Sequence, residues 1–199
     1  AGTVGEYACR TALGLGANVK VFDTSLSRLR RLQQLTNRNV STSIIQPKDL
    51  RQALKRSDVV IGALRSGDGR TPCVVSEDMV KDMKEGSIII DVSIDHGGCF
   101  ETSEVTTHKN PVFSKHGIIH YCVPNIPSRV ARTSSLAICS VIVPILLRIG
   151  EEGGIQNLIK KDAGIRKGVY TFNNMMTNKT LSQMFNLQYK DLDLIITAL

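Results

Sequence analysis

The chain begins Ala1-Gly2-Thr3-Val4-Gly5, and 21 residues after Gly2 the apolar run Val19-Lys20-Val21-Phe22-Asp23 ends in an acid. This spacing matches the last two glycines of a G-x-G-x-x-G turn and the acidic residue about 20 residues beyond it. Glycine at position 2 lets an anionic ligand approach the backbone, and the first amides of the following helix point at that ligand. We therefore predict a dinucleotide-binding turn whose first glycine, together with the strand before it, precedes Ala1.

Asp23 also bears on which dinucleotide is bound. A carboxylate at the end of the second strand accepts hydrogen bonds from the adenosine ribose hydroxyls and repels a 2′-phosphate. The sequence thus favours NAD over NADP. The alternative is a chance Gly-x-x-Gly at a helix start, but the acid at the expected spacing and the strand–helix alternation that follows argue against it.

The composition is that of a soluble domain from a reducing compartment. Of the 199 residues, 42% are hydrophobic and 22% are charged, which suffices for a buried core. The cysteines are odd in number and form no C-x-x-C, so we predict neither a metal site nor a disulfide framework, and a cytoplasmic location. They are Cys9, Cys73, Cys99, Cys122 and Cys139.

The net charge of +7 raises the question of nucleic-acid binding. The basic clusters Arg28-Leu29-Arg30-Arg31, 51–56 and 160–167 alternate with leucine or isoleucine at helical spacing, which is typical of solvated helix faces. The chain has no tryptophan, and aromatic residues make up only 5% of it. We therefore expect no nucleic-acid partner.

The longest apolar run, 136–147, is about a dozen residues long and contains Pro144. A membrane-spanning helix needs about 20 residues. We predict that this run is a buried helix and that the protein has no membrane association.

Strands and helices alternate over residues 1–132, which we predict to be an NAD-binding domain. Because the strands are continuously apolar, we predict an α/β, Rossmann-like, doubly wound parallel sheet whose first strand is absent from this chain. The predicted strands are 18–23, 40–45, 58–63, 87–92 and 118–123, and the predicted helices are 5–13, 26–35, 47–56 and 76–84.

Residues 133–199 show no strand alternation, and we predict a helical C-terminal arm. Its predicted helices are 134–149, 155–161 and 181–185. We expect this arm to pack on a substrate domain that lies outside the chain.

Two loops that follow apolar strands carry the candidate chemistry. In Asp91-Val92-Ser93-Ile94-Asp95-His96-Gly97-Gly98-Cys99-Phe100-Glu101, Asp95 is placed to orient or deprotonate a water or an amine. The alternative is that Asp95 only caps a turn. In Tyr121-Cys122-Val123-Pro124-Asn125-Ile126-Pro127, two prolines fix the backbone and Asn125 offers a donor and an acceptor to the nicotinamide end. The second loop is also compatible with a rigid crossover between domains.

Together with the glycine turn and Val21-Phe22-Asp23, these two loops resemble the C-terminal half of bacterial alanine dehydrogenases. The resemblance runs from residue 1 to about residue 149. It implies NAD-dependent, reversible oxidation of L-alanine to pyruvate and ammonia, with hydride transfer to nicotinamide, by an enzyme that forms homo-oligomers. The family's catalytic histidine, and the lysine and arginine that hold the substrate carboxylate, come from the N-terminal half, so we expect this chain alone to be inactive.

The resemblance also implies the roles of individual residues. Asp95 corresponds to the family's catalytic aspartate, whereas His96 stands where relatives usually carry glutamine. The residues implied to bind the adenosine and pyrophosphate are Gly2, Thr3, Val4, Gly5, Asp23 and Arg28. Those implied to approach the nicotinamide are Ala63, Leu64, Val92, Val123 and Asn125.

The sequence departs from the family pattern in one loop. Relatives commonly have a Pro-Gly loop where this chain has Arg65-Ser66-Gly67-Asp68-Gly69-Arg70, which puts the nicotinamide-side contacts in doubt.

Three alternatives to an alanine dehydrogenase stay open. The closest is the nucleotide-binding subunit of a proton-translocating nicotinamide nucleotide transhydrogenase, but those relatives lack an aspartate at the position of Asp95. A saccharopine-type dehydrogenase and a nucleotide-binding module without chemistry are the others.

Overall fold

The computed structural model describes residues 1–37, 39–65 and 69–197. The chain divides into two compact units, Ala1–Ile126 and Pro127–Leu199. The first unit contains parallel sheets with helices between the strands, and the second is mostly helical.

In the first unit, the described residues alternate helix and strand as predicted. The elements are α1 (Thr3–Gly14), β1 (Lys20–Asp23), α2 (Leu26–Leu35), β2 (Ser41–Ile44), α3 (Pro47–Leu54), β3 (Val59–Gly62), α4 (Glu77–Lys81), β4 (Ile88–Asp91), β5 (Val112–Lys115) and β6 (Ile118–Tyr121). A 3-10 turn, Val92–His96, follows β4, and another, Ile126–Val130, follows β6. The side chains of Ser25 and Ser76 cap α2 and α4 by accepting hydrogen bonds from backbone amides, as this residue type predicts.

The strands form two sheets. β1 and β2 are parallel, with Lys20 opposite Ser41. The larger sheet has the order β3-β4-β6-β5, in which β3, β4 and β6 are parallel and β5 is antiparallel to β6. The prediction of an α/β fold with a parallel sheet is confirmed. β5 was not predicted, because its four residues alternate between exposed and half-buried positions and lack a continuous apolar run.

Helices cover both faces of β1. Successive strand residues point to opposite faces: Val21 packs with Cys9 of α1 and Leu32 of α2, whereas Phe22 packs against the cluster that contains Leu50 of α3. This two-sided cover is the arrangement that defines a doubly wound fold.

His120 on β6 is fully buried at the centre of the larger sheet. Its Nδ1 donates to the Ile118 carbonyl at 3.0 Å, so its Nε2 accepts from the Thr102 hydroxyl at 2.8 Å in the neutral ring. Its ring also stacks on Phe113 with 4.8 Å between centroids. Burial lowers the pKa of His120, and the bond to the Ile118 carbonyl only partly offsets this effect.

We predict that this histidine makes the stability of the domain depend on pH. The pKa of His120 is lower in the folded than in the unfolded chain. Its contribution to the free energy of unfolding is therefore fully present above the unfolded pKa of about 6.5, and it is lost as the pH falls through the folded pKa. The difference in unfolding free energy between wild type and His120→Gln, measured by urea denaturation, should therefore shrink from pH 7.5 to pH 5, at no more than about 1.4 kcal/mol per pH unit. A difference that stays constant with pH would contradict this prediction.

The second unit contains the predicted helices and an additional hairpin. Its elements are α5 (Ala131–Glu151), α6 (Ile155–Lys161), α7 (Ala163–Lys167), β7 (Thr171–Phe172), β8 (Met175–Met176), α8 (Lys179–Met184) and α9 (Leu192–Thr197). β7 and β8 pair antiparallel across Asn173 and Asn174, which both have positive φ, as a two-residue hairpin turn requires. No strand was predicted here, because two-residue strands are too short to show an alternating pattern. Ile159, Phe172 and Leu192 form the buried core of this unit.

The predicted burial of the apolar helix is wrong for this chain. α5 contains the run 136–147, yet none of its residues is buried against the described residues. The expectation that this segment is too short to span a membrane is also wrong. The stretch Ile126–Glu151 has a mean hydropathy of 1.9 in its most apolar window and is long and apolar enough to cross a membrane by length and composition. Counting only the uninterrupted run 136–147 missed the flanking helical turns. Core helices of soluble proteins pass the same test, so this feature alone is weak evidence for a membrane span.

Candidate functional site

The carboxyl ends of three neighbouring strands lie at one edge of the larger sheet. β3 ends at Gly62 and β4 at Asp91, and these two residues are opposite each other in the parallel register. β6 runs parallel to β4 and ends at Tyr121. Ligands of open α/β sheets bind outside this edge. The loops after β3, β4 and β6 therefore form the candidate site.

The glycine turn forms the beginning of α1. Gly2 is the N-cap residue, and Thr3, Val4 and Gly5 make up the first turn. No described side chain caps this helix end, so its first amides are free for an anion at the positive end of the helix dipole. A Cβ on Gly2 or Gly5 would meet no described atom within 4 Å. The space beside both glycines is thus open among the described residues.

Asp23 ends β1 and lies against the glycine turn. One of its carboxylate oxygens accepts a hydrogen bond from the Ala1 amino group at 2.7 Å, and the other accepts from the Ser25 amide at 2.8 Å. Burial opposes ionisation of Asp23, but these donors outweigh it and hold its pKa below the usual value. Arg28, exposed in the first turn of α2, also favours the charged form. The structure thus brings Asp23 against the glycine turn and places Arg28 in the first turn of the next helix.

Asp95 lies on the 3-10 turn Val92–His96, and its side chain is exposed. Its two carboxylate oxygens face the backbone amide of Asn125, at 3.1 and 3.4 Å. Asn125 has a φ of 51°, a left-handed conformation that asparagine adopts more readily than most residues. The structure therefore brings the two predicted loops together at this contact. Asp91, not Asp95, caps the turn, by accepting from the Ser93 amide.

The apolar residues predicted for the nicotinamide side belong to the same three strand ends. Ala63 and Leu64 follow β3 and are half-buried, Val92 follows β4 and is half-buried, and Val123 follows β6 and is buried. The Ser93 hydroxyl donates to the Leu64 carbonyl at 2.8 Å and so ties the end of β3 to the loop after β4. In the loop 65–70, where the sequence departs from the family pattern, residues 66–68 lie outside the described residues.

Two glycines after Asp95 have the conformations that the loop requires. Gly97 and Gly98 have φ values of 96° and 75°, where side chains are strained. A Cβ on Gly97 would lie 2.6 Å from Nε of Arg70, and one on Gly98 would lie 2.7 Å from Oδ2 of Asp91. The backbone here is thus as close to its neighbours as glycine allows.

Gly62, at the end of β3, was not predicted from the sequence, although it supports the same site. A Cβ on Gly62 would lie 2.4 Å from Sγ of Cys99 and 2.5 Å from Cε2 of Phe100, both of which are buried. The apolar strand before Gly62 was visible in the sequence, but its packing against residues nearly 40 positions later was not.

We predict that Gly62→Ala destabilises the domain by about 1–3 kcal/mol, the usual cost of overpacking a core. The neighbouring atoms are buried and cannot move aside freely. Gly14→Ala is the matched control, because a Cβ on Gly14, the last residue of α1, would meet no described atom within 4 Å. Urea denaturation should show a lower midpoint for the first variant only. Equal midpoints for the two variants would refute the close packing at Gly62.

The thiols near the site are not candidate nucleophiles. Burial raises the pKa of Cys99, and the neighbouring Asp91 carboxylate raises it further. Burial also raises the pKa of Cys122. Because the thiolate is the reactive form, both side chains serve in packing.

The arrangement suits a dinucleotide laid along the strand ends. The amides of α1 can hold phosphates, Asp23 retains a lone pair on each oxygen for ribose hydroxyls, and apolar residues after β3, β4 and β6 offer a surface for a flat ring. Asp95, exposed beside that surface, can accept or donate a proton. The fold and the site define a nucleotide-binding α/β domain of the Rossmann type.

The chain belongs to the alanine dehydrogenase/PNT C-terminal domain family, whose model matches residues 1–179. The alanine dehydrogenase of Staphylococcus epidermidis is 38% identical over 193 residues, which is 96% of this chain and 52% of that protein. Alanine dehydrogenase 2 of Staphylococcus aureus is 39% identical with the same coverage. The resemblance stated from the sequence is thus confirmed. The chain spans about half the length of these relatives.

Solved structures show the same similarity. An L-alanine dehydrogenase structure matches with a TM-score of 0.84 and 31% identity, over 93% of this chain and 51% of that one. A transhydrogenase from Sinorhizobium meliloti matches with a TM-score of 0.65 and 26% identity, over 80% of this chain and 44% of that one. The predicted Rossmann-like fold is confirmed by these matches.

Proposed function

We propose that this chain is the cofactor-binding part of an NAD-dependent alanine dehydrogenase, which oxidises L-alanine reversibly to pyruvate and ammonia. The observation that carries the proposal is the contact between Asp95 and the Asn125 amide at the strand ends, in a chain whose relatives are named alanine dehydrogenases. Bound NAD would supply the hydride acceptor.

In the proposed function, each part of the site binds a different part of NAD. The first turn of α1 binds the pyrophosphate, Asp23 binds the adenosine ribose and excludes a 2′-phosphate, and Arg28 adds positive charge near the phosphates. The nicotinamide side is formed by Ala63, Leu64, Val92, Val123 and Asn125.

Asp95 is the proposed catalytic residue of this chain. Hydride loss from the Cα of L-alanine leaves an iminium ion. Water must add to its carbon, and the nitrogen must take up a proton before ammonia leaves. The exposed carboxylate of Asp95 orients that water, accepts its proton and passes a proton to the leaving nitrogen, while the Asn125 amide fixes the orientation of the carboxylate. The catalytic histidine and the carboxylate-binding lysine and arginine that the resemblance implies belong to a part of the enzyme outside this chain.

We further propose that residues 133–199 pack on the substrate domain and that the enzyme is a cytoplasmic homo-oligomer without membrane association. The exposed apolar surface of α5 supports such packing, because contiguous exposed apolar surface commonly marks an interface. Recovery of the protein in the membrane fraction after cell lysis would contradict this part of the proposal.

The second candidate is the nucleotide-binding subunit of a transhydrogenase. The transhydrogenase of Sinorhizobium meliloti shares the fold at 26% identity. The presence of Asp95 favours the dehydrogenase, since the resemblance places no aspartate there in transhydrogenases. A saccharopine-type dehydrogenase would differ from the first candidate only in its substrate.

The deciding experiment follows NADH consumption by protein expressed from the complete open reading frame. Pyruvate and ammonium are supplied together and each is then omitted in turn. We expect consumption only when both are present. Binding of NADH without consumption would overturn the proposal and favour the transhydrogenase subunit or another substrate.

A further inference from the structure

A second carboxylate, that of Asp91, is fully buried at the end of β4, four residues before Asp95. Its Oδ1 accepts a hydrogen bond from the Ser93 amide at 3.0 Å. Its Oδ2 accepts from the Cys99 amide at 2.9 Å and from the Ser103 hydroxyl at 2.7 Å. The Cys99 thiol also lies 3.7 Å from Oδ1. Each oxygen of this buried carboxylate is therefore satisfied by the protein itself.

These donors stand on both sides of the loop that carries Asp95. Ser93 precedes Asp95 by two residues, whereas Cys99 and Ser103 follow it by four and eight. Asp91 thus closes the loop into a ring, because its two oxygens bind the beginning and the end at the same time. Hydrogen bonds to a charged group are stronger than those between neutral groups.

The backbone approaches the carboxylate closely at two glycines. A Cβ on Gly98 would lie 2.7 Å from its Oδ2, and a Cβ on Gly62 would lie 3.3 Å from its Oδ1. Glycines on both sides therefore let the backbone close around the carboxylate.

We propose that Asp91 is a positioning residue that holds the loop so that Asp95 meets the Asn125 amide in the geometry the reaction needs. Asp91 is buried, and it acts on the loop through the backbone amides of Ser93 and Cys99 and the hydroxyl of Ser103. This inference rests on the proposed function of Asp95. Misplacing a catalytic group by about 1 Å costs up to about 100-fold in rate.

The test uses protein from the complete open reading frame and three variants. Asp91→Asn removes the charge and one acceptor. Ser103→Ala removes a single donor at a half-buried position and keeps the test valid if the first variant does not fold. Thr36→Val is the control, because it removes a buried hydroxyl that donates to the Leu32 carbonyl at the end of α2, outside the site.

The readouts are kcat per NADH-binding site and KM for NAD. Counting sites by NADH titration removes the effect of any unfolded fraction, which lowers binding and turnover equally. We expect kcat per site to fall about 10- to 100-fold in Asp91→Asn and about 3- to 10-fold in Ser103→Ala, with KM for NAD within about twofold of wild type. Thr36→Val should have the same kcat per site as the wild type.

Two negative results are distinguishable. If the wild-type protein does not turn over alanine, the proposed function fails and this inference fails with it. If the wild type is active and Ser103→Ala has the same kcat per site, only the positioning role of Asp91 is overturned. An equal fall in Thr36→Val would also overturn it, because the loss would then reflect general destabilisation.

Discussion

Asp95→Asn, in protein from the complete open reading frame, is expected to lower kcat for L-alanine oxidation by about 1,000-fold, within the range seen for loss of a general acid–base. Asparagine keeps the size of the side chain, and its amide oxygen can still accept from the Asn125 amide, which lies 3.1 Å from the Asp95 carboxylate. It cannot accept a proton from water. The measurement is the initial rate of NADH formation at saturating alanine and NAD.

The adjacent residue provides the control for this prediction. His96→Gln changes a neighbouring exposed side chain, while the His96 carbonyl keeps its bond from the Thr71 amide at 2.8 Å. We expect its kcat to stay within about threefold of wild type. Both variants should bind NADH as wild type does, because neither removes a group assigned to the adenosine side. Turnover by Asp95→Asn at the wild-type rate would remove Asp95 from the reaction.

The sequence predicted the parts of the fold that depend on local signals. α2 begins and ends where the sequence reading placed it, because Ser25 caps it and leucines recur at helical spacing. The strands were found from their apolar runs but are shorter than predicted; the predicted strand 18–23 is β1, Lys20–Asp23. β5 was missed because its pairing with β6 depends on tertiary contact.

At the site, too, features with a local sequence signal were predicted and long-range contacts were not. The loop with Asp95 could be located because it follows an apolar strand and contains two glycines. The structure brings it against Asn125, 30 residues later, which no local pattern states. Asp91 and Gly62 were missed for the same reason, since their partners are Ser103 and Cys99, 12 and 37 residues away. The environment of α5 was predicted wrongly because an apolar pattern indicates that a helix needs a partner but does not identify one.

The second large effect concerns cofactor choice. Asp23→Ala is expected to weaken NAD binding about 10- to 100-fold, since hydrogen bonds to a charged group contribute about 1.5–3 kcal/mol each. The variant should also lose its discrimination against NADP, because the negative charge that repels a 2′-phosphate is gone. The Asp23 side chain lies at the end of β1 and contacts the first residue of the glycine turn.

Two further variants separate charge from shape. Asp23→Asn keeps an acceptor for the Ser25 amide, which lies 2.8 Å from the Asp23 carboxylate, but removes the repulsion. NADP binding should therefore improve even if NAD binding falls only slightly. Asp49→Asn removes an equal charge from the first turn of α3 and controls for net charge, so its NAD-to-NADP preference should be that of the wild type. Dissociation constants for both cofactors, measured by titration calorimetry, give the comparison. An unchanged preference in Asp23→Asn would exclude Asp23 from the ribose site, because a carboxylate that contacts the 2′ position must distinguish a hydroxyl from a phosphate.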